Sequence, residues 1–126
     1  MSQCAFSAKV FAVYLFIAGT TLVLSPNLLL TLVHIPPTSE VWIRVIGLIA
    51  FMIGVYAWVA ASHEFTPFMV ASVYTRFAVF VAFVVFVTMG LASPMAILFG
   101  VADLAGGIWT YFALRADAAS PMLSAA

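Results

Sequence analysis

The chain has 126 residues, of which 67% are hydrophobic and 6% are charged, and its formal net charge is zero. Such a composition leaves too little polar surface for a water-soluble domain of this size, so it predicts an integral membrane protein. The absence of any basic run excludes nucleic acid as a partner. A single cysteine, Cys4, and two separated histidines provide neither a disulfide nor a spacing suited to a metal or haem site, so we expect no metal and no cofactor.

Four apolar segments are long enough to cross a bilayer, since a membrane helix needs about 20 mostly apolar residues. The first ends before Pro26, and the second lies between a Pro36-Pro37 loop and a His63-Glu64 loop. The third and fourth form a hairpin whose turn contains Pro94, a residue suited to the first helical position. The predicted fold is an all-α integral membrane four-helix bundle, with spans at about residues 7–25, 41–61, 67–91 and 94–114.

Two further segments flank these spans. Residues 28–35 are too short to cross the bilayer, so we expect either an interfacial helix at one mouth of the bundle or an extension of the first span beyond a proline kink. The tail, residues 116–126, is rich in small residues and is expected to fray. A secretory signal is the competing interpretation of the first span, but no small-x-small cleavage site follows it. We therefore interpret residues 1–126 as a single transmembrane domain.

The even number of spans predicts which parts of the chain share a side of the membrane. Both termini fall on one side, together with the His63-Glu64 loop. Lys9 and Arg115 also lie on this side, whereas only Arg44 lies near the other. Because basic residues favour the cytoplasmic side and acidic residues contribute little to this preference, we expect both termini in the cytoplasm.

Three charged side chains, Arg44, Arg76 and Asp103, lie inside the predicted spans. A charge in hydrocarbon costs at least about 2.5 kcal/mol, so such residues usually face the interior of a bundle and pair with one another. At a rise of about 1.5 Å per helical residue, Asp103 lies at a depth between the two arginines and within reach of either. The trio carries a net positive charge, so one arginine needs a further acceptor. Glu40, a lipid phosphate or a quinone carbonyl could provide it.

Aromatic side chains with polar ends extend this layer. Tyr14, Tyr56 and Trp109 lie near the predicted depth of Arg76 on the first, second and fourth spans. Small residues let helices approach closely in a membrane. The glycines predicted to lie in helix contacts are Gly47, Gly54, Gly100, Gly106 and Gly107. Gly100 and Gly107 share one stripe of the fourth span with Asp103 and Thr110, and Gly106 lies beside it, so we expect that stripe to face the other helices.

Three motifs follow one another along the chain. P-P-x-x-E-x-W-x-R-x-x-G begins at Pro36, Y-x-R begins at Tyr74, and D-x-x-G-x-x-W begins at Asp103. Over residues 8–115 this combination resembles the BphX-like group of small bacterial four-span membrane proteins, within the broader DoxX-like superfamily. The group's motif residues fall on Trp42, Arg44, Gly47, Tyr74, Arg76, Asp103, Gly106 and Trp109. The resemblance implies a four-helix bundle in a bacterial inner membrane; most members have no established activity, and some DoxX-like relatives are associated with membrane oxidoreductases or quinone-linked chemistry.

Three functions are compatible with these features. The first, which the sequence favours, is a non-catalytic accessory or structural subunit, either of a membrane redox complex or of a homo-oligomer, in which the buried charges fix helix register. The second is a binder or carrier of a quinone or lipid at the buried arginine and aspartate layer. The third is a membrane isomerase with Asp103 as general acid or base. We rank it last, because a neighbouring arginine favours the ionised carboxylate.

Overall fold

The computed structural model describes the backbone of residues 1–125 and the side chains of residues 1–119. The elements in this range are all helical: α1 (Gln3–Leu24), α2 (Pro26–Leu32), α3 (Val41–Ser62), α4 (Thr66–Thr88) and α5 (Ile97–Ala125), with a 3₁₀ turn (Pro94–Ala96) leading into α5. Four of these helices are long and apolar enough to cross a membrane, the last of them counted over Pro94–Ala119. The prediction of an all-α membrane four-helix bundle is confirmed.

Helix α1 begins four residues before the predicted start of the first span, because side chains cap its N-terminus. The hydroxyl of Ser2 accepts a hydrogen bond from the amide of Ala5 at 3.1 Å. Asp117 accepts from the first two amides of the helix at 3.1 and 2.9 Å, and Glu64 accepts from the Ser2 amide at 2.9 Å and from its hydroxyl. All four amides that a helix start leaves without a partner are therefore satisfied.

These three capping residues, Ser2, Glu64 and Asp117, form what we call the cap cluster. They come from the N-terminus, from the α3–α4 loop and from the C-terminal part of α5. Their contacts place these three parts of the chain at one end of the bundle, which we call the terminal end. The α2–α3 connection and the α4–α5 turn lie at the other end, since each long helix crosses the bundle once.

The cap cluster makes stability depend on pH. The hydrogen bonds that the exposed Glu64 accepts from the hydroxyl and amide of Ser2 hold the pKa of its carboxyl below the usual value. A carboxyl whose pKa is lowered by folding contributes stability that is complete above its unfolded pKa and is lost as pH falls through its folded pKa. We therefore expect Glu64→Gln to lower the melting temperature in detergent at neutral pH, and the difference from wild type to vanish in acid. A difference that is independent of pH would contradict this account.

Helix α4 ends at Thr88, three residues before the predicted boundary at Leu91. Gly90 has φ +74°, a left-handed conformation that glycine adopts without a Cβ penalty. The amide of Leu91 then donates to the carbonyl of Phe86 at 2.9 Å, and the amide of Gly90 donates to the carbonyl of Val87 at 3.1 Å. These two bonds form a Schellman motif, which ends the helix.

Residues outside the four spans also have defined structure. The segment after Pro26, for which we left two interpretations open, is a separate short helix, α2, that contacts α1. Helix α5 continues into the tail as far as Ala125, and residue 126 lies outside the described residues, so the fraying of the tail stays a prediction.

The four long helices form two closely packed pairs, α1 with α3 and α4 with α5, and the pairs are joined mainly where α1 meets α5. Glycines lie at the closest approaches. A Cβ atom at Gly47 would lie 2.6 Å from Cβ of Leu22, and one at Gly54 would lie 3.0 Å from the ring of Phe16, so both glycines face α1. Gly100 of α5 faces Phe83 of α4 in the same way, at 3.2 Å.

Candidate functional site

A cavity of about 180 Å³ lies between α1, α4 and α5, beside the side chain of Arg76. We call it the Arg76 cavity. Its remaining lining residues are Ser7, Val10, Phe11, Tyr14, Ala102, Asp103, Gly106 and Trp109. Val10, Ala102 and Trp109 are also exposed on the outside of the bundle, so the cavity opens sideways between α1 and α5.

Arg76 is held in place by apolar contacts as well as polar ones. Its side chain is buried, and Cζ lies 3.5 Å from the centroid of the Phe11 ring. A cation over an aromatic face is attracted to it, and the attraction is larger when both groups are shielded from water. A Cβ atom at Gly106 would lie 2.8 Å from Nη2 of Arg76, so a glycine at this position makes room for the guanidinium. Gly107 contacts the base of the same side chain, with a Cβ position 3.4 Å from Cβ of Arg76.

The guanidinium starts a directed chain of hydrogen bonds. Nη1 of Arg76 donates to the hydroxyl of Thr110 at 3.2 Å, and the hydroxyls of Thr110 and Ser7 are 3.0 Å apart. Ser7 donates to the carbonyl of Cys4 at 2.7 Å. Because a hydroxyl has one proton, Thr110 must be the donor to Ser7. The chain therefore runs from Arg76 toward the terminal end of the bundle.

Asp103 forms an ion pair with Arg76, but the two groups are not within hydrogen-bonding distance. Oδ1 of Asp103 lies 4.0 Å from Nε of Arg76, and the two side chains are 16% and 7% exposed. A direct N–H···O bond between an arginine and a carboxylate is shorter than about 3 Å. Nε is consequently a buried donor with no hydrogen-bond acceptor among the described residues.

The structure brings together four of the seven side chains that we predicted to share a polar layer. Arg76, Asp103, Tyr14 and Trp109 all line the Arg76 cavity. Tyr14 is half-buried and stacks against the ring of Phe11, with the two ring centroids 6.4 Å apart.

The other three predicted residues lie elsewhere. Arg44 is exposed, and its Nη1 donates to the carbonyl of Val23 in the last turn of α1. Tyr56 is 68% exposed on the outer face of α3. Glu40 is exposed at the N-cap position of α3 and forms no ion pair within the part of the chain that the structure describes. The rise per helical residue gives the depth of a residue in the membrane but not the direction of its side chain. The sequence therefore could not distinguish these three residues from the four that line the cavity.

Two residues of the site, Ser7 and Phe11, were not among our predicted positions. With Tyr14 they follow an i, i+4, i+7 progression, so all three lie on one face of α1. That face meets Arg76 and Thr110. The sequence signal that could have identified this face is a serine and a tyrosine seven residues apart in a mostly apolar helix.

The Arg76 cavity combines hydrogen-bond donors with apolar walls. The buried Nε of Arg76 is a charged donor, and the hydroxyl of Tyr14 and the indole N–H of Trp109 add neutral ones. No group of three or more His, Cys, Asp or Glu side chains among the described residues is placed to hold a metal ion. Such a site suits an acceptor oxygen at the end of an apolar molecule. Comparisons of the chain with models of protein families, with curated proteins and with solved structures find no match.

Proposed function

We propose that this protein binds a small lipophilic molecule through an acceptor oxygen, a quinone carbonyl or a lipid phosphate, in the Arg76 cavity. The observation that carries the proposal is the Nε of Arg76, a buried and charged donor with no acceptor. Leaving a buried polar group without a partner costs free energy, and the cost is larger for a charged group. A ligand oxygen between Arg76 and the cavity wall removes this cost, which is a source of affinity.

The size of the cavity limits which part of the ligand enters. Ligand pockets that enclose a whole molecule usually have volumes of about 300–1,000 Å³. At about 180 Å³, the Arg76 cavity holds only the polar end of such a molecule. The apolar remainder passes through the side opening beside Ala102 and lies in the bilayer. This arrangement needs no route through water, because the ligand approaches from the membrane.

We also propose to which group of proteins the chain belongs and how it is oriented in the membrane. A quinone ligand agrees with the resemblance to BphX-like and DoxX-like membrane proteins, and we propose that the chain belongs to that group in a bacterial inner membrane. Lys9 and Arg115 near the terminal end support the orientation with both termini in the cytoplasm. No reaction is included, because Asp103 is the one carboxylate among the residues that line the cavity and it is paired with Arg76.

A role as an accessory subunit is the second candidate, and the outer face of α3 favours it. Helix α3 packs closely against α1 and only sparsely against α4. Its outer side therefore carries large exposed side chains, among them Trp42 and Tyr56. Native mass spectrometry of the protein extracted from its own membrane separates the two candidates: a bound small molecule on a solitary chain supports the first, and a stoichiometric larger protein supports the second.

We expect Ala102→Phe to weaken ligand binding by at least about tenfold, because the added ring blocks the side opening of the cavity. A background of Trp42→Phe and Trp58→Phe leaves Trp109, which lines the cavity, as the single tryptophan, whose fluorescence is excited selectively over that of the tyrosines. Titration in detergent with a short-chain ubiquinone, and separately with a lysophosphatidic acid, reports binding as saturable quenching or enhancement. The ligand that gives saturation identifies the source of the oxygen.

Two further variants complete this experiment. Ala78→Phe introduces the same ring at an exposed position of α4, two residues beyond Arg76 and away from the cavity, and should bind as wild type does. Arg76→Lys keeps a positive charge but has no Nε, so it should lose affinity. Equal binding by wild type and Ala102→Phe, or no saturable signal with either probe, would refute the proposed function.

A further inference from the structure

A second cavity lies outside the Arg76 site, as a groove on the outer surface between α4 and α5. Its volume is about 380 Å³, and it is lined mainly by Val70, Val73, Phe77, Tyr74, Tyr111 and Arg115. Val70, Val73 and Phe77 form its apolar wall. The two tyrosines and the arginine supply hydroxyl groups and a positive charge.

Arg115 has no acidic partner among the described residues. The nearest carboxylate in the sequence, Asp117, accepts hydrogen bonds from the amides that begin α1. The single ion pair within 4.0 Å in the described part of the chain joins Arg76 and Asp103. The guanidinium of Arg115 instead lies 5.9 Å from the centroid of the Tyr111 ring, so its N–H groups remain available to an anion.

The groove runs from the membrane surface toward the hydrocarbon. Arg115 lies two residues before Asp117, which caps the first turn of α1 at the terminal end, so it is about 3 Å inside that end. Phe77 lies eleven residues after the start of α4 at Thr66, which is about 16 Å inside the same end. Arginine side chains near the end of a span extend to the level of the lipid head groups. The polar end of the groove is therefore level with the phosphates, and its apolar end is level with the acyl chains.

We propose that this groove is a binding site for one anionic phospholipid. The phosphate diester accepts hydrogen bonds from Arg115 and from the hydroxyls of Tyr74 and Tyr111, which have no hydrogen-bond partner among the described residues. One acyl chain lies against Val70 and Phe77. The unpaired guanidinium of Arg115 at the head-group level favours a lipid with net negative charge over a zwitterionic lipid, because the ammonium group of a zwitterionic lipid would place a second positive charge beside it. This site is separate from the Arg76 cavity, and neither proposal depends on the other.

Native mass spectrometry of protein released from nanodiscs tests this proposal. The nanodiscs contain phosphatidylcholine with phosphatidylglycerol as the minor component, and the measured quantity is the amount of each lipid that stays bound. We expect wild type to retain phosphatidylglycerol in preference to phosphatidylcholine. Arg115→Gln should lower that retention about tenfold, since it removes the charge-assisted bonds to the phosphate.

Two variants separate the groove from a general effect of basic residues. Val70→Trp fills the apolar part of the groove, leaves Arg115 in place and should also lose the lipid. Arg44→Gln removes the exposed arginine at the other end of the bundle and should retain phosphatidylglycerol as wild type does. Equal retention of the two lipids by wild type, unchanged retention by Arg115→Gln, or a dimer of this chain that Val70→Trp dissociates would overturn the proposal.

Discussion

Replacing Asp103 with asparagine should lower the free energy of unfolding by about 3 kcal/mol. Asp103 is the one carboxylate within 4.0 Å of Arg76 among the described residues, and the arginine side chain is 7% exposed. Removing one member of a buried ion pair typically costs about 3–5 kcal/mol, because the other charge remains buried without compensation. We expect the lower end of this range because Asp103 is partly exposed at the cavity. Asparagine has nearly the shape of aspartate, so the loss reports charge and not packing.

The measurement is the unfolding of the purified protein in mixed micelles of dodecyl maltoside and increasing dodecyl sulfate. The double variant Arg76→Met with Asp103→Leu is the control, since it removes both charges together. Replacing a buried pair with apolar residues of similar volume is often neutral or stabilising, so the double variant should be more stable than Asp103→Asn alone. A loss below about 1 kcal/mol for Asp103→Asn would show that the two charges do not depend on each other.

The second large effect is expected at the contact between α1 and α3, where Gly19→Ala should cost about 3 kcal/mol. A Cβ atom at Gly19 would lie 2.7 Å from the carbonyl oxygen of Gly47 and 2.9 Å from the backbone nitrogen of Phe51. Backbone atoms cannot move aside as the end of a side chain can. The two helices must therefore separate, which weakens their contacts along much of their length.

Gly107→Ala provides the matched control for this substitution. Gly107 is also a buried glycine within a long helix, but the nearest atom to its Cβ position is Cβ of Arg76 at 3.4 Å, an ordinary contact distance. Alanine has a higher helix propensity than glycine by about 1 kcal/mol, so this variant should be as stable as wild type or slightly more stable. The same unfolding experiment measures both. Similar losses for the two variants would mean that the close approach of α1 and α3 does not limit stability.

Hydropathy and proline positions were sufficient to predict the four spans, but not where all of the helices begin and end. The start of α1 depends on Glu64 and Asp117, which are distant in the sequence and become caps only when the bundle is assembled. The end of α4 depends on Gly90, whose positive φ stops the helix before the apolar sequence stops. Apolar composition indicates what can lie in a bilayer, whereas capping decides where hydrogen bonding along the helix ends.

The sequence also predicted part of the candidate site. The cost of a buried charge led to Arg76 and Asp103, and depth along the helices added Tyr14 and Trp109. The same reasoning also selected Arg44, which is exposed and bonded to the last turn of α1. A residue near the end of a span can reach polar groups at the membrane surface, so its charge need not enter the core. Charge and depth thus identified the inner pair, but the direction of each side chain required the helix packing.

Helix α1 is fastened at both of its ends by side chains from other parts of the bundle. The cap cluster holds its first turn, and Arg44 of α3 holds the carbonyl of Val23 near its last turn. Sliding α1 along its axis by a single residue would break both sets of bonds at once, while Gly19 and Gly47 keep it against α3. These two helices therefore act as a fixed frame.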